Sequence, residues 1–321
     1  MPAHSRRVVK PRERERATMG ATHPGETLSV SNGFEVIDCG ICGFKHVNPI
    51  PMPDDLKRIY EKEYYASENP DWIEKTLRES DYWRLVYDDR YDVLERFVSA
   101  GHLRILDVGS FLGLFLKRGK ERGWEVLGIE PSEQGVRYAA GQGILTHKGF
   151  FEDLPNESLG HFGAVNLSLT LEHVTDPAAI LSKTHELLWP GGIVCVEVPN
   201  DFSPLQAAVR EALGKPVYWA APPHHINYFD FDSLTRLLVR CGFSLIHKTT
   251  TFPMEMFLLM GEDYLGNDPL GRSCHAKRMA FELNLAAGGM KEFRRELYRF
   301  LASWNVGREV VLFAQKPYSQ E

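Results

Sequence analysis

The chain has 321 residues, 43% of them hydrophobic and 25% charged, the balance of an ordinary globular protein long enough for a core domain with additions. Its net charge is −6 although the first 20 residues carry six basic and only two acidic side chains, so the body is acidic, against a nucleic-acid partner that needs clustered Lys and Arg. No apolar run approaches the ~20 residues that span a bilayer, no apolar segment follows the basic N-terminus as in a signal peptide, and five cysteines point to a reduced, cytoplasmic setting.

Residues 1–25 are charged and punctuated by proline, and read as a disordered tail. Residues 26–98 read as a small N-terminal cap. Within it Cys39 and Cys42 form a Cys-x2-Cys knuckle, half of a tetrahedral metal site, and His23 and His46 are the other nearby ligand types. Leu56–Tyr65 and Asp81–Val98 read as helices, the second with Tyr87, Tyr91, Leu94 and Val98 as an apolar stripe.

From residue 99 onward strands and helices alternate, which predicts an α/β sheet. Leu103–Val108 is a buried parallel strand, Leu112, Phe115, Leu116 and Gly119 recur at helical spacing, and Trp124–Ile129 is a second strand that ends on Glu130. Ligands of such sheets bind beyond the carboxyl ends of the strands, where strand order reverses. Asp107, Gly109, Gly113 and Glu130 fall there, and an acid in the last position can accept both hydroxyls of a ribose. A nucleoside-bearing cofactor follows. Phe162–Leu169 is the fourth strand, Asp176-Pro177 opens a helix, Pro190-Gly191-Gly192 stops it, and Ile193–Val198 is the fifth strand. Residues 200–231 form an irregular aromatic insert. Asp232 is expected to cap the next helix, which ends at Gly242. Phe243–Thr249 and Glu309–Ala314 are the last strands. Between them, 250–308 holds Met279, Leu283, Met290, Phe293, Leu297 and Phe300 in one or two helices broken at Gly288-Gly289, serving either as a pocket wall or as a homodimer face.

DVGSFLG (107–113) resembles the first motif of the class I S-adenosylmethionine-dependent methyltransferases, with Phe111 in place of the middle glycine. LGIEPSEQGVRYA (127–139), LSLTLEHVTDP (167–177) and LLWPGGIVCVEVPN (187–200) resemble later motifs of the same family in the same order. The Cys39 knuckle and its flanks resemble the second half of a zinc ribbon that precedes this domain in some sugar and secondary-metabolite methyltransferases. Its first knuckle is missing, so a degenerate ribbon without a metal ion is expected.

The resemblance implies a Rossmann-like seven-stranded mixed sheet, last strand antiparallel, with helices on both faces, a small N-terminal cap and a helical insert before the last strand. It implies S-adenosyl-L-methionine as cofactor and S-adenosyl-L-homocysteine as product. Asp107, Gly109, Ser110, Phe111, Gly113, Glu130, Pro131, Phe150, Phe151, Ser168 and Leu169 would surround the cofactor. In the loop after the third strand either Glu152 or Asp153 reaches the adenine amine or Phe150 stacks on its ring. Tyr64, Tyr65, Trp72, Tyr82 and Trp83 from the cap are candidates to line the site. On the acceptor side Tyr65, Tyr82 and Glu172 are expected, with Tyr218, Trp219, Asn227 and Tyr228 from the insert.

Methyl transfer from a sulfonium asks the protein to align, exclude water and, for a hydroxyl acceptor, supply a base. His173, His224 and His225 are the candidates. The expected acceptor is a small molecule: a sugar, nucleotide-sugar or secondary-metabolite hydroxyl. A C- or N-methyltransferase and a non-catalytic cofactor-binding protein are the alternatives. A nicotinamide-dependent dehydrogenase is disfavoured because Asp107 precedes the glycine turn and GREVVLFAQK resembles the family's antiparallel last strand.

Overall fold

The structure is a computed structural model that describes residues 21–58 and 72–318. Tyr64 and Tyr65 lie outside the described residues, as does most of the first predicted helix.

The N-terminal part is an antiparallel meander, β1 (Gly25–Ser31), β2 (Phe34–Cys39) and β3 (Phe44–Asn48), followed by α1 (Pro53–Arg58), α2 (Trp72–Arg78) and α3 (Ser80–Phe97). The core continues with β4 (Arg104–Val108), α4 (Leu114–Glu121), β5 (Glu125–Glu130), α5 (Glu133–Gly141), β6 (Thr146–Lys148), α6 (Asn156–Leu159), β7 (Phe162–Ser168), α7 (Pro177–Leu187) and β8 (Leu188–Pro199). The remaining elements are α8 (Pro204–Leu213), β9 (Asn227–Tyr228), α9 (Phe231–Arg240), β10 (Ser244–Thr250), α10 (Glu255–Leu259), α11 (Asp268–Ala287), α12 (Lys291–Ser303) and β11 (Glu309–Gln315).

Seven strands form the main sheet in the order β10-β11-β8-β7-β4-β5-β6. Neighbours from β8 to β6 run parallel, and β11 is antiparallel to both β8 and β10, as expected. Predominantly apolar runs dictate this: Phe162–Leu167, polar only at Asn166, and Val310–Ala314 are buried throughout, which suits strands covered on both faces. The chain leaves β4 toward β5 on one side and returns as β7 on the other, so the switch point lies at the carboxyl end of β4, beside Asp107.

Packing around α3 explains one glycine. Tyr91 is fully buried, stacks on Phe115 at 4.7 Å between ring centroids and donates its hydroxyl to the Phe115 carbonyl at 3.1 Å. A Cβ on Gly119 would lie 2.1 Å from that hydroxyl, so α4 can approach α3 only with glycine there.

Three details depart from the sequence reading. The helix after the aromatic insert is capped by Asp230, not Asp232: Asp230 Oδ1 accepts the Ser233 N–H at 2.7 Å, and the Ser233 hydroxyl accepts the Asp230 N–H. Burial of Phe231 makes that residue the first of the helix. Strand β8 begins at Leu188 and includes Pro190-Gly191-Gly192, because the Gly191 N–H donates to Lys316 and the Gly192 carbonyl accepts from it. Finally, the N-terminal sheet has a fourth strand, β9, taken from the aromatic insert, so the cap is not built from 26–98 alone.

The helical insert does break at Gly288-Gly289, with α11 and α12 on either side. Its inner side is polar. Buried Arg294 pairs with Glu282 at 2.9 Å and with Asp89 of α3, Arg295 pairs with Asp89 at 2.9 Å, and the Tyr82 hydroxyl donates to Glu282 at 3.2 Å. Buried charges persist only when paired in this way. These pairs dock the insert on α3.

Candidate active site

A cavity of about 480 Å³ opens at the carboxyl ends of β4, β5 and β7, within the size range of small-molecule sites. Its floor is the β4–α4 turn. Gly109, Phe111 and Gly113 all have positive φ, of 77°, 45° and 69°. Phe111 therefore adopts the left-handed backbone that glycine favours, at a cost of about 1–2 kcal/mol. Its N–H donates to Glu130 Oε2 at 2.9 Å, while Glu130 Oε1 accepts the Ser132 N–H at 2.8 Å. Each carboxylate oxygen keeps a further lone pair, and Glu130 lines the cavity.

Asp107 is buried and accepts from the Asn166 amide at 2.7 Å. Burial pushes its carboxyl up to about 7, with the Glu130 charge adding to the effect, and burial also raises Glu130. Two desolvated acids that face one cavity are stabilised as anions by a cationic ligand. The buried Ser110 hydroxyl in the same turn has no hydrogen-bond partner among the described residues. Ribose acceptors, acids that favour a cation and an unused hydroxyl fit an S-adenosylmethionine-sized ligand.

Of the other expected cofactor residues, Gly109, Ser110, Phe111, Pro131, Phe150, Phe151, Ser168 and Leu169 line the cavity, whereas Gly113 lies behind the turn, where a Cβ would press on Ala139 and Ile144. Phe151 is 2% exposed and packs in the main core, so Phe150 is the ring more open to the site. Asp153 turns away to Lys57 at 2.6 Å, which leaves Glu152 as the acid on the cavity wall.

The acceptor end is built by the loop after β7. His173 Nδ1 lies 2.8 Å from the His224 carbonyl, and Nε2 lies 3.7 Å from Glu172 Oε1. Donation from Nδ1 places the ring lone pair on Nε2. The His225 ring stands edge-on to His173 with centroids 5.0 Å apart, and one ligand-type atom from each of Glu172, His173 and His225 lies within 4.8 Å of the others. Burial lowers His173 to about 4 and His225 to about 3, and raises Glu172 well above the carboxylate range. Burial thus pushes each of the three toward its neutral form. Neither carboxyl oxygen of Glu172 has a hydrogen-bond partner within the described protein.

Several expected acceptor residues are elsewhere. Tyr82 faces Glu282 beneath the helical insert. Tyr228 is fully buried and donates to the His225 carbonyl at 2.9 Å. Trp219 packs edge-on against Phe202 and Tyr218, and neither Tyr218 nor Trp219 lines the cavity. Pairing of β9 with β3 seats Tyr228 in the core of the N-terminal sheet, with Phe202 packed against it. Asn227 acts from behind: its amide donates to the Leu171 and Val174 carbonyls at 2.8 and 2.7 Å, clamping the loop that carries Glu172 and His173. His224 contributes its carbonyl, and its ring is not part of the wall.

The aromatic walls come instead from α2 and α3, through Trp72, Trp83 and Tyr87. The sequence reading missed Arg90 and Glu197. They form a pair at 2.8 Å on the cavity wall, and Ser168 donates to the same Glu197 at 2.7 Å. Arg90 interrupts the apolar stripe of α3 and was the available signal. Of the helical insert, Arg308 reaches this cavity among the described residues, while Glu282, Arg294, Arg295 and Tyr298 line a separate, smaller pocket against α3.

A family model described as a methyltransferase domain matches residues 71–248. A protein of Mycobacterium tuberculosis (strain ATCC 25618 / H37Rv), named only as uncharacterized, is 34% identical over 126 residues, 39% of this chain and 42% of that one. The ubiquinone biosynthesis O-methyltransferase of Dechloromonas aromatica is 32% identical over 117 residues, 35% of this chain and 50% of that one. The chain thus spans half or less of the length of these relatives. Among solved structures, magnesium protoporphyrin IX methyltransferase from Synechocystis with bound SAH is similar at a TM-score of 0.49 and 12% identity, covering 83% of this chain and 100% of that one. With the family model matched over more than half its length, and the motif residues gathered at one cavity, the chain belongs to the class I methyltransferase-domain family, whose cofactor is S-adenosylmethionine.

Proposed function

We propose that the protein transfers a methyl group to a hydroxyl of a small ring-bearing molecule, with His173 as general base. The observation that carries this reading is the Glu172, His173 and His225 cluster at the open end of β7. When bound, S-adenosylmethionine supplies an electrophilic methyl group already activated by positive charge. The chain's own task is to set the acceptor oxygen in line, exclude water and take its proton.

His173 presents Nε2 because Nδ1 is held by the His224 carbonyl. Burial keeps that imidazole neutral and able to accept a proton. A base this weak is better matched to an acidic hydroxyl, such as a phenol near pKa ~10, than to an alcohol. Burial shifts Glu172 toward its protonated form, which has both a donor and an acceptor to orient the incoming hydroxyl. Trp72 and Trp83 line the cavity with faces on which a ring can stack. The name of the ubiquinone biosynthesis O-methyltransferases supports a hydroxyl acceptor. Sugar, nucleotide-sugar and secondary-metabolite rings carry the same group. Five free cysteines support a reducing, cytoplasmic setting, and no described helix is long and apolar enough to cross a membrane.

The test is formation of S-adenosylhomocysteine with a panel of phenols, catechols, sugars and nucleotide-sugars. With an accepted substrate, His173→Gln is expected to lower kcat by ~10²–10⁴-fold with cofactor affinity unchanged. Wild-type kcat in that variant removes the base assignment. Turnover confined to amine or carbon acceptors replaces the reading with N- or C-methylation. Tight cofactor binding without turnover on any acceptor replaces it with a non-catalytic binding protein.

A further inference from the structure

The N-terminal sheet contains a cluster that methyl transfer does not use. His23 precedes β1, Cys39 closes β2, Cys42 stands in the β2–β3 turn and His46 lies in β3. One ligand atom from each residue falls within 4.8 Å of all the others. His23 Nδ1 is 3.3 Å from Cys42 Sγ, 3.5 Å from Cys39 Sγ and 3.3 Å from His46 Nε2.

Hydrogen bonding alone does not account for this convergence. A neutral imidazole nitrogen has one proton or one lone pair in its ring plane, yet His23 Nδ1 has three close partners. A single cation among the four atoms accounts for all three contacts. With Zn–N of ~2.0–2.1 Å and Zn–S of ~2.3 Å, a tetrahedral site places neighbouring nitrogens about 3.3 Å apart and nitrogen and sulfur about 3.6 Å apart. The observed separations are close to both values.

The surroundings are those of a ligand set. His46 is 1% exposed, and its Nδ1 lies 2.7 Å from the Val47 carbonyl. Donation there leaves Nε2 as the coordinating atom, the outer-shell arrangement typical of metal-bound histidine. The Cys42 N–H donates to Cys39 Sγ at 3.3 Å, which holds the two cysteines of the knuckle together. Gly43, with φ of 75°, lets the knuckle turn so that its N–H reaches the Cys39 carbonyl.

We propose that His23, Cys39, Cys42 and His46 bind one zinc ion in a closed, tetrahedral, structural site. Two thiolates and two imidazoles select zinc over magnesium or calcium, and four protein ligands leave no position for a substrate. The ion fastens the segment before β1 to the β2–β3 turn. Its influence extends further, because His46 pairs with Asn227 across β3 and β9. Asn227 in turn clamps the loop that bears Glu172 and His173.

The full chain, purified without chelator from zinc-supplemented medium, is expected to contain about one zinc per chain by elemental mass spectrometry. Cobalt in its place is expected to show the visible bands of a tetrahedral site and a thiolate-to-cobalt charge-transfer band. Cys39→Ser combined with Cys42→Ser is expected to remove both signals. His23→Gln, a milder change outside the strands, is expected to leave the fold intact by circular dichroism and weaken zinc at least tenfold in a chelator competition. Substoichiometric zinc with no tetrahedral cobalt spectrum overturns the proposal. So does a Cys39–Cys42 disulfide in the intact mass of freshly prepared protein, or zinc content and affinity unchanged in both variants.

Discussion

Glu130→Gln isolates the role of one carboxylate with little change in shape. In the native site both oxygens accept backbone N–H groups, from Phe111 at 2.9 Å and from Ser132 at 2.8 Å. Glutamine provides one acceptor and one NH₂ group, so one of those backbone donors meets another donor. Leaving it unsatisfied costs about 1–3 kcal/mol. Removing a charge whose burial is unfavourable offsets part of that cost, so the loss in unfolding free energy should sit at the low end of the range. Cofactor binding has no such offset. One charged acceptor for a ribose hydroxyl is lost, worth about 1.5–3 kcal/mol, which corresponds to roughly a 10–150-fold weaker dissociation constant.

The assay is calorimetric titration of the apo protein with S-adenosylhomocysteine, beside urea unfolding of both proteins. The pH profile adds an internal check. Protonated Glu130 has the same defect as glutamine, a donor where an acceptor is needed. Because burial raises its pKa, wild-type affinity should decline toward that of the variant as pH falls, starting above the range of an ordinary glutamate. Equal affinity of the two proteins at neutral pH, or a profile with no decline, refutes the ribose assignment.

Two further outcomes follow from the same structure. Asp107 is raised from 3.8 to about 7 by burial, so between these values the folded state holds a proton that the unfolded chain has lost. Its contribution therefore makes the apo protein less stable as pH rises from about 4 to about 7, and Asp107→Asn should flatten that part of the profile while weakening S-adenosylhomocysteine. An unchanged slope, measured by urea unfolding, counts against it. The second concerns α12, where Phe293 is 48%, Phe300 60% and Trp304 68% exposed, a stripe on the side of the helix that does not face α3. This face tests the homodimer expected through the 250–308 insert: sedimentation should then show a dimer that Phe293→Glu with Phe300→Glu converts to a monomer, and a monomeric wild type removes that expectation.

Much of the fold was legible because its causes are local. The largely apolar runs of β4, β7, β8 and β11, the cap at Asp176 and the break at Gly288-Gly289 each depend on residues within one turn or strand. Asp107, Glu130 and the β4–α4 turn were legible for the same reason, since strand ends and glycine positions are written in consecutive residues. Tertiary structure decided what distant segments do to one another. It put the left-handed backbone demanded by the turn onto Phe111, held there by a carboxylate from the next strand. It turned Tyr218, Trp219 and Tyr228 away from the cavity, kept Trp72 and Trp83 of the expected cap aromatics on its wall, and added Arg90, which the sequence reading missed. It gathered His23 and His46 around a cysteine pair that by spacing alone is half a site. Side-chain type and period set which face of an element is buried, but which other element covers that face depends on the whole chain's packing, and no local pattern encodes that partner.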